Sequence, residues 1–487
     1  MAYTTIDNPS EFFNTILYTG DGNASGARSI TGVGFKPDWV WIKERDNAAY
    51  HNLFDSNRGV GKVLHSNVTD AEGNYTSYFT AFGSDGFTLE NNAGSLNGNT
   101  DTYVAWNWKA GGSTPTKTYK VVVVSDSGNK YRFRNSGDTA TYAASAVTLD
   151  LQEGGTYIFD QSDSSNSGHP LRFSTTSNGT HGGGSEYTTG VTTSGTAGNA
   201  GAFTQITVAA STATLYYYCT QHSAMGGQVN TNSTHGQTNF DGSILSVSQP
   251  NTTAGFSIVT YTGTGSAGTI AHGLGATPKL YIIKNRERSD TWRVATEMTG
   301  FGKQLLLNET DAVATDTATF NNTAPTSTVF SVGTRNAVNA SSEDHVAYCF
   351  AEKKGYSKFG SYTGNGNADG PFVYTGFKPA WIMFKKSSDT GDWIIMDAKR
   401  TNEFNPTNGT LYANLSNAEA TSIDRGDCVS NGYKLRNTSA AVNTSGATYI
   451  YMAFAEHPFV SSKGVPTTAR WKMIGTFTLL QLYSFLS

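Results

Sequence analysis

The sequence predicts an all-β protein made of tandem antiparallel β-sandwich modules, jelly-roll-like, with a Greek-key sandwich inserted after the first module. Three observations lead to this prediction: the composition, a set of landmarks that recurs three times, and a middle segment with its own strand pattern. The chain has 487 residues, of which 37% are hydrophobic and only 15% are charged. It contains 53 Gly, 25 Tyr and 26 Phe. Aromatic residues favour half-buried strands, and Gly supplies the turns between them.

The recurring module has four landmarks, which come in the same order in each copy. The first landmark is a turn: YTGDG at 18–22, YTGTG at 261–265 and YTGNG at 362–366. The second is a glycine-proline corner: GFKPDWVWIK at 34–43, GATPKLYIIK at 275–284 and GFKPAWIMFK at 376–385. Next come short strands, SDGFTL at 84–89, STVFSV at 327–332 and SNGYKL at 430–435, and apolar runs, TYVAWNWK at 102–109, HVAYCFAE at 345–352 and YIYMAFAE at 449–456. Short strands with turn signals between them predict a sandwich or jelly roll for each copy.

The landmarks divide the chain into four folded segments and a tail. We assign β-sandwich modules to 10–112, 255–357 and 358–460, an inserted domain to 117–247, and a carboxyl-terminal tail to 461–487. Only KKGYSKFG separates the second module from the third. We therefore expect those two modules to pack together.

Two features within the modules have a structural and a functional interpretation. Four tryptophans lie in strand-like runs and are expected in the core rather than on a ligand-binding platform: Trp39, Trp41, Trp106 and Trp108. A D-x-x-R element pairs Asp55 with Arg58 and Asp397 with Arg400, and it predicts an ion pair that fixes a loop; a polar ligand contact is the alternative. The second module has WRVATE at 292–297 instead, with no matching Asp.

Charge and hydropathy exclude two classes of partner. The net charge is −4 and no basic stripe is present, so we expect no nucleic-acid binding. No stretch of about 20 apolar residues exists, so we expect no membrane span. The amino terminus MAYTTIDNPSEFF lacks the basic start and apolar segment of a secretory signal. This combination fits a surface-type protein that is released by cell lysis.

The inserted domain contains strand patterns, KVVVV, AVTLDL, TYIFD, LRFS, FTQITVAA and LYYYC, that predict a Greek-key sandwich. His169 lies in SGHPLRFS, and Cys219, His222 and Met225 follow one another in YYYCTQHSAMGG. One thiolate, two imidazoles and a thioether are the ligands of a blue-copper site. The segment resembles the cupredoxin family, and the resemblance implies a type 1-like copper site formed by these four residues. The alternatives are a packed polar cluster or a site that never receives copper.

Other polar residues of the insert are not assigned to that site. His181 and His235 lie in loops rich in Gly, Ser and Thr and are expected to be solvated. His169 is followed by Pro170, where many cupredoxins have a polar residue that helps to fix the loop. The remaining cysteines, Cys349 and Cys428, are expected to be structural.

The landmarks together resemble the repeat module of tail-fibre-like proteins of marine tailed phages, which often include a cupredoxin-like insert. The resemblance covers roughly 10–470 and includes GYSKFGSYTGNG at 355–366 and VPTTAR at 465–470. It implies a structural virion appendage protein, a tail fibre or related fibre or spike, that attaches to the host surface through exposed loops. It also implies a homo-oligomer, with a trimer as the usual arrangement, that contacts other virion proteins and a host glycan or protein receptor. The protein would be made in the host cytoplasm and exposed to the medium after lysis.

Two other functions are considered. A copper redox or electron-transfer surface protein would use the insert alone. A polysaccharide-degrading spike would need a pair of carboxylates at a defined separation, and no motif in the repeats pairs them, so we expect no enzymatic activity. The strongly apolar segment after Arg470 is either a buried subunit interface or an accidental extension of the reading frame.

Overall fold

A computed structural model describes residues 3–22, 26–91, 93–112, 114–139, 142–232, 236–400 and 405–467. Strands make up 43% of the structure and helices 6%, and the sheets are mainly antiparallel, which confirms the predicted all-β sandwich class. In the described part of the chain, no helix combines the length and the apolar character needed to cross a membrane. The apolar segment after Arg470 lies outside the described residues, as does His235.

The first module consists of a six-stranded sheet, in the order β1-β9-β3-β4-β5-β6, and a three-stranded sheet, in the order β2-β8-β7. Its elements are β1 (Phe13–Thr19), β2 (Arg28–Thr31), β3 (Trp39–Glu44), β4 (Asn52–Asp55), β5 (Lys62–Leu64), β6 (Gly73–Asn74), β7 (Phe79–Gly83), β8 (Gly86–Leu89), α1 (Gly94–Asn97) and β9 (Thr102–Trp108). The landmark corner forms β3 and the closing apolar run forms β9. These two strands are central in the sheet, which explains why both are apolar on both faces.

The insert consists of a five-stranded sheet, in the order β11-β10-β13-β16-β15, and a four-stranded sheet, in the order β12-β18-β17-β14. Its strands are β10 (Thr116–Ser125), β11 (Asn129–Asn135), β12 (Leu149–Gln152), β13 (Thr156–Asp160), β14 (Leu171–Ser174), β15 (Val191–Ser194), β16 (Phe203–Thr207), β17 (Leu215–Cys219) and β18 (Gly227–Asn232). Tyr119, Phe159, Phe173 and Tyr217 belong to one apolar core that both sheets share. The six strands predicted from the sequence of the insert are all present.

The second module has an eight-stranded sheet, in the order β19-β20-β21-β28-β23-β24-β25-β26, and a two-stranded sheet of β22 and β27. Its elements are β19 (Gln237–Asn239), β20 (Ser246–Asn251), β21 (Phe256–Thr262), β22 (Gly268–Ala271), β23 (Leu280–Asn285), β24 (Arg293–Thr296), β25 (Lys303–Leu306), β26 (Ala314–Thr315), α2 (Thr317–Phe320), β27 (Val329–Val332), α3 (Asn336–Asn339) and β28 (Asp344–Phe350). The expected domain boundary at 247 falls within β20. This strand joins the sheet of the second module and ties the insert to it.

The third module has a five-stranded sheet, in the order β29-β36-β31-β32-β33, and a three-stranded sheet, in the order β30-β35-β34. Its elements are β29 (Ser357–Thr363), β30 (Phe372–Tyr374), β31 (Phe377–Lys386), β32 (Trp393–Asp397), β33 (Leu411–Tyr412), β34 (Gly426–Val429), β35 (Gly432–Leu435), α4 (Ala440–Asn443) and β36 (Thr448–Pro458). Each module thus repeats the same pairing of a large sheet with a small one.

The large sheet of each module packs against two cores. One face packs on the small sheet of its own module, and the other face joins a core that all three modules share. The shared core is rich in aromatic rings: Trp39 stacks on Tyr348 with ring centroids 4.5 Å apart, and Phe13 stacks on Phe454 at 5.4 Å. The four tryptophans predicted to be core residues are all fully buried there.

Three equivalent backbone hydrogen bonds close the modules into a ring. The N–H of Glu72 donates to the carbonyl of Arg286 at 2.7 Å, that of Val313 to Ser387 at 2.9 Å, and that of Glu419 to Arg45 at 2.8 Å. Each acceptor lies two residues after the lysine that ends the landmark corner. The first module therefore donates to the second, the second to the third and the third to the first. The second and third modules are in contact, and the first module contacts both.

The D-x-x-R element forms a buried ion pair at two of the three junctions. Arg58 pairs with Asp55 within the first module and with Glu72 at 3.0 Å, and Glu72 also binds Arg286 of the second module at 2.8 Å. At the next junction Arg400 pairs with Asp397 at 2.5 Å and with Glu419 at 2.9 Å, and Glu419 binds Arg45 of the first module. The element thus fixes a loop that lies on the neighbouring module.

The second module lacks the Asp of the D-x-x-R element, and the third module lacks the side chain that would donate a hydrogen bond to it. Tyr348 of the second module donates to Asp55, and Trp106 Nε1 of the first module donates to Asp397 at 2.9 Å. Thr296 stands in the second module where the others have Asp, and Met452 stands in the third module where the others have Tyr348 and Trp106. Donor and acceptor are therefore both absent at the third junction, which leaves no carboxylate to be buried there without a partner.

Candidate metal centre

The candidate metal ligands lie at one end of the insert, where two paired strands end. Strand β14 pairs antiparallel with β17, and Leu171 lies opposite Cys219, the last residue of β17. His169 comes two residues before the start of β14, so it reaches the same end of the sheet as Cys219. His222 and Met225 lie in the loop between β17 and β18. The pairing brings the distant His169 to the Cys-His-Met segment.

Three donor atoms converge at this end of the sheet. Cys219 Sγ is 3.8 Å from Nδ1 of His169 and 3.8 Å from Nδ1 of His222. The imidazole rings have centroids 4.5 Å apart, and one donor atom from each of the three residues lies within 4.8 Å of the others. Both histidines thus present the same ring nitrogen to the sulfur.

The site is buried on one side and open on the other. Cys219 and Met225 are fully buried and belong to the same apolar core, His169 is almost buried, and His222 is exposed. The imidazole of His222 lines two surface depressions, one with Met225 and His181 and the other with Pro170. One imidazole edge is therefore accessible from solvent while the sulfur atoms are not.

Electrostatics favour the form of His169 that can bind a metal. Burial, together with the neighbouring imidazole of His222, lowers the pKa of His169 below its ordinary value. A histidine must be neutral to donate a ring nitrogen to a metal. Burial next to Cys219 also raises the pKa of Tyr131 well above its ordinary value, so the Tyr131 hydroxyl remains a hydrogen-bond donor.

The backbone around His169 is held by buried hydrogen bonds. Its carbonyl accepts from the hydroxyl of Tyr131 at 2.8 Å and from Nε2 of Gln161 at 2.9 Å, and its N–H donates to the carbonyl of Asn166 at 2.8 Å. Gln161 Oε1 in turn accepts the N–H of Leu171 at 3.1 Å. These contacts fix the position from which the His169 ring projects, although Pro170 cannot donate a backbone hydrogen bond.

The loop that contains Met225 is fixed at both sides. The Met225 carbonyl accepts the N–H of Tyr131 at 3.0 Å, and the N–H of Ala224 donates to Asn178 Oδ1 at 2.7 Å. Gly226 lets the chain approach the neighbouring strand, because a Cβ there would lie only 1.7 Å from the carbonyl oxygen of Tyr217. Met225 is thereby held in the apolar core to which Cys219 also belongs.

His181 is exposed, as the sequence predicts, and its imidazole also contacts the backbone of the site. Its Nε2 is 3.0 Å from the carbonyl oxygen of Cys219. The short 3-10 turn Gly179–Gly182 contains this histidine, and Gly179 has a φ of +56°. A Cβ at Gly179 would lie 2.4 Å from the ring of Tyr218, so a glycine is required for this turn to pack against β17. In the sequence, Gly179 lies two residues before His181, and a glycine that packing requires can indicate such a contact. The abundance of Gly, Ser and Thr in this loop hides that signal.

The geometry fits a single metal ion between the three donor atoms. Nitrogen at about 2.0–2.1 Å and sulfur at about 2.3 Å from one metal in a trigonal or tetrahedral site lie about 3.5–3.8 Å apart. The two sulfur–nitrogen distances of 3.8 Å agree with that separation. Two imidazoles, a thiolate and a thioether are a ligand set that copper prefers. Met225 is in the loop that would supply the thioether.

Comparison with known proteins identifies a family but no function. No curated protein and no solved structure matches the chain. The family model for a domain of unknown function, DUF7483, matches residues 8–154 and 227–458. The matched ranges include all three modules, and the interval between them contains His169, Cys219, His222 and Met225. Because the match extends over most of its length, the chain belongs to this family, the domain of unknown function DUF7483.

Proposed function

We propose that the protein is a structural component of a virion appendage, such as a tail fibre or a related fibre or spike, that attaches to the host surface through exposed loops of its modules. The proposal rests on the repeated landmarks and their resemblance to tail-fibre-like proteins. It accounts for a chain with few charged residues, many exposed Asn and Thr side chains, and exposed aromatic rings at Tyr50 and Tyr374. Such side chains offer hydrogen bonds and ring faces to a receptor.

The closed ring is the observation that supports this role best. Each module uses one side to bind the next, and all three share an aromatic core, so the ring is a single rigid body rather than a flexible string of domains. Rigid scaffolds present binding loops at fixed positions, which reduces the entropy lost on binding.

Electron microscopy of purified particles tests the proposal. We expect the ring to appear as a distinct density on the tail or capsid, and antibodies against the modules to label that density and block adsorption to host cells. Antibodies against a major capsid protein serve as the control for non-specific blocking. Absence of the chain from purified particles, with the protein recovered free from the lysate, would contradict the proposal.

A second function, copper binding by the insert, is favoured by the convergence of His169, Cys219 and His222. In this proposal His169, Cys219 and His222 would hold the ion, and Met225 would supply a thioether ligand. Bound copper would supply one-electron exchange. The protein would keep the Cys219 sulfur away from water, hold the His169 imidazole through the backbone contacts described above, and leave the edge of His222 open to a redox partner.

A copper titration of the purified full chain tests this second function. We expect an intense visible absorption band that saturates at one copper per chain. Cys219→Ser should abolish the band, whereas Cys428→Ser, which changes a buried cysteine of the third module, should leave it intact. Loss of the band in both variants, or no band in the wild type, would contradict a site at Cys219.

A further inference from the structure

Two aromatic rings stand in solvent on the small sheet of the third module. Phe372 and Tyr374 are 46% and 54% exposed, the two most exposed Phe, Tyr or Trp side chains in the described part of the chain. They alternate along β30 with Val373, which is buried in the core of the module. Both rings therefore lie on the outer face of the sheet. Neither contributes to the core that lies on the other side.

The other two modules can be compared with the third, because each has residues at the positions equivalent to Phe372 and Tyr374. Phe372 and Tyr374 flank Val373, which pairs with Tyr433, and the matching pair in the first module is Ile30 with Phe87. The equivalent outer residues there are Ser29 and Thr31, which are exposed but small and polar. The first module thus presents no aromatic surface at this position.

In the second module the chain itself covers this position. The equivalent residues are Thr269 and Ala271, as the pairing of Ile270 with Phe330 indicates. The N–H of Ile244 donates to the carbonyl of Thr269 at 3.0 Å, and Ser246 Oγ donates to that of Ala271 at 3.0 Å. Ala271 is fully buried. The third module therefore differs from both others in having an exposed aromatic surface, which Tyr3 contacts only at the Tyr374 side chain.

Charged groups border the two rings at fixed positions. Across the sheet Phe372 lies opposite Lys434, and Lys434 lies opposite Asp427. Lys434 Nζ is 2.7 Å from Asp369, and Arg436 Nε is 2.6 Å from Asp427. Asp369 and Arg436 are well exposed, so both retain hydrogen-bonding capacity toward a ligand. The surface thus combines a flat apolar area with donors and acceptors at its edge.

The shape of the surface is set by a glycine. Tyr374 lies opposite Gly432, and a Cβ at Gly432 would be 2.7 Å from Cζ of Phe372. The Phe372 ring therefore lies across the bare backbone of β35 and presents a flat face. The carbonyl of Tyr374 accepts a hydrogen bond from the hydroxyl of Tyr451 at 3.0 Å, which holds the strand in place.

The size of the surface suits a small ligand better than a protein. An aromatic side chain has about 150–250 Å² to bury, so two that are half exposed offer on the order of 200 Å². A stable protein interface buries about 800 Å² on each partner. A pyranose ring has an apolar C–H face that stacks on an aromatic ring and hydroxyl groups at its edge, and one or two such rings match this area.

We propose that this face of the third module, formed by Phe372, Tyr374, Lys434 and Asp427, binds a hexopyranose residue of a host-surface glycan. The C–H face of the sugar stacks on the two rings, and its hydroxyls exchange hydrogen bonds with the charged groups at the edge. This inference rests on the proposed attachment function and assigns it to one face of one module.

An array of bacterial-surface oligosaccharides, probed with the full chain, tests the proposal. We expect the wild type to bind at least one hexopyranose-containing glycan, and Phe372→Ala and Tyr374→Ala each to weaken that binding at least tenfold. Tyr50→Ala is the matched control, because Tyr50 is a similarly exposed tyrosine of the first module. Its binding should equal that of the wild type. Amide shifts of Gly432 and Lys434 on addition of the bound glycan give a second readout that needs no variant.

The outcomes separate this inference from the attachment function. Glycan binding that both substitutions leave unchanged overturns the inference, as does wild-type protein that binds host cells but no saccharide. A change of oligomeric state in the variants, with glycan binding intact, identifies the face as a contact between copies of the chain and also overturns it. Wild-type protein that binds neither cells nor saccharides removes the attachment function itself.

Discussion

The hydroxyl of Tyr348, in the second module, donates a 2.7 Å hydrogen bond to Asp55 Oδ2, in the first module. The two residues are 293 positions apart in the chain and both are fully buried. The same carboxylate binds Arg58, so a single oxygen receives a donor from each of two modules. The contact therefore joins the buried ion pair of Asp55 and Arg58 to Tyr348, a residue of the core that the three modules share.

Tyr348→Phe is expected to destabilise the ring by about 1–2 kcal/mol, because it removes one hydrogen-bond donor from the buried side chain of Asp55. The midpoint of urea denaturation, followed by tryptophan fluorescence, measures the loss, since the buried tryptophans lie in the shared core. Tyr281→Phe is the control: Tyr281 is equally buried, but its hydroxyl has no hydrogen-bond partner among the residues that the structure describes. Equal destabilisation by both substitutions would contradict the role of the Asp55 contact.

Arg58→Met should be far more damaging, at about 3–5 kcal/mol, because it leaves the carboxylates of Asp55 and Glu72 buried with less compensating charge. The same denaturation experiment measures it. Arg134→Met removes a half-exposed partner of Asp138 in the insert, and its cost should stay below about 1 kcal/mol. A small loss for Arg58→Met would mean that Arg286 alone neutralises Glu72.

Stability should depend on pH through three equivalent lysines. Burial lowers the pKa of Lys43, Lys284 and Lys385 from 10.5 to about 8. Each donates its ammonium to backbone carbonyls, as Lys284 does to Asn285 at 2.6 Å. Between pH 8 and 10.5 the unfolded chain binds more protons at these sites than the folded chain, so their contribution to stability rises with pH. Below pH 8 these lysines are charged in the folded chain, and the free-energy cost of burying their charge is fully present.

The difference between wild type and Lys284→Met isolates this effect from the buried tyrosines and cysteines, which titrate in the opposite sense. We expect the wild type to gain stability relative to the variant as the pH rises from 8 to 10, measured by denaturation at each pH. The two curves should run parallel below pH 7.5. A difference that stays constant over the whole range would show that Lys284 keeps its ordinary pKa.

His181→Ala should weaken copper binding by about tenfold to a hundredfold without abolishing the visible band, because the residue contacts a ligand's backbone and not the ion. His181→Asn, which can restore a hydrogen bond to the Cys219 carbonyl, should recover part of the affinity. The control is His457→Ala, in the third module, which should leave both the band and the affinity unchanged. Complete loss of the band in His181→Ala would make His181 a ligand.

The sequence predicts local strands well and long-range contacts poorly. The corner before Trp39 and the run that ends at Trp108 indicate their strands through apolar patterns. The short spacing of Cys219, His222 and Met225 predicts the candidate metal site. Glu72 and Arg286 give no such signal, because they lie 214 positions apart and meet only after the ring has closed. His181 was missed for the same reason, since it reaches the Cys219 carbonyl by way of a turn packed on Tyr218.

A homotrimer of single modules could close the same ring, but every change in its gene would appear three times at once. Fusion into one chain lets each copy diverge by itself. The pair of Tyr348 and Asp55 can be replaced at one junction by residues that do not form it, one small sheet can acquire Phe372 and Tyr374, and one linker can accommodate a whole sandwich with its candidate metal ligands. Covalent linkage thus allows the three modules of a symmetric assembly to differ from one another in structure and in function.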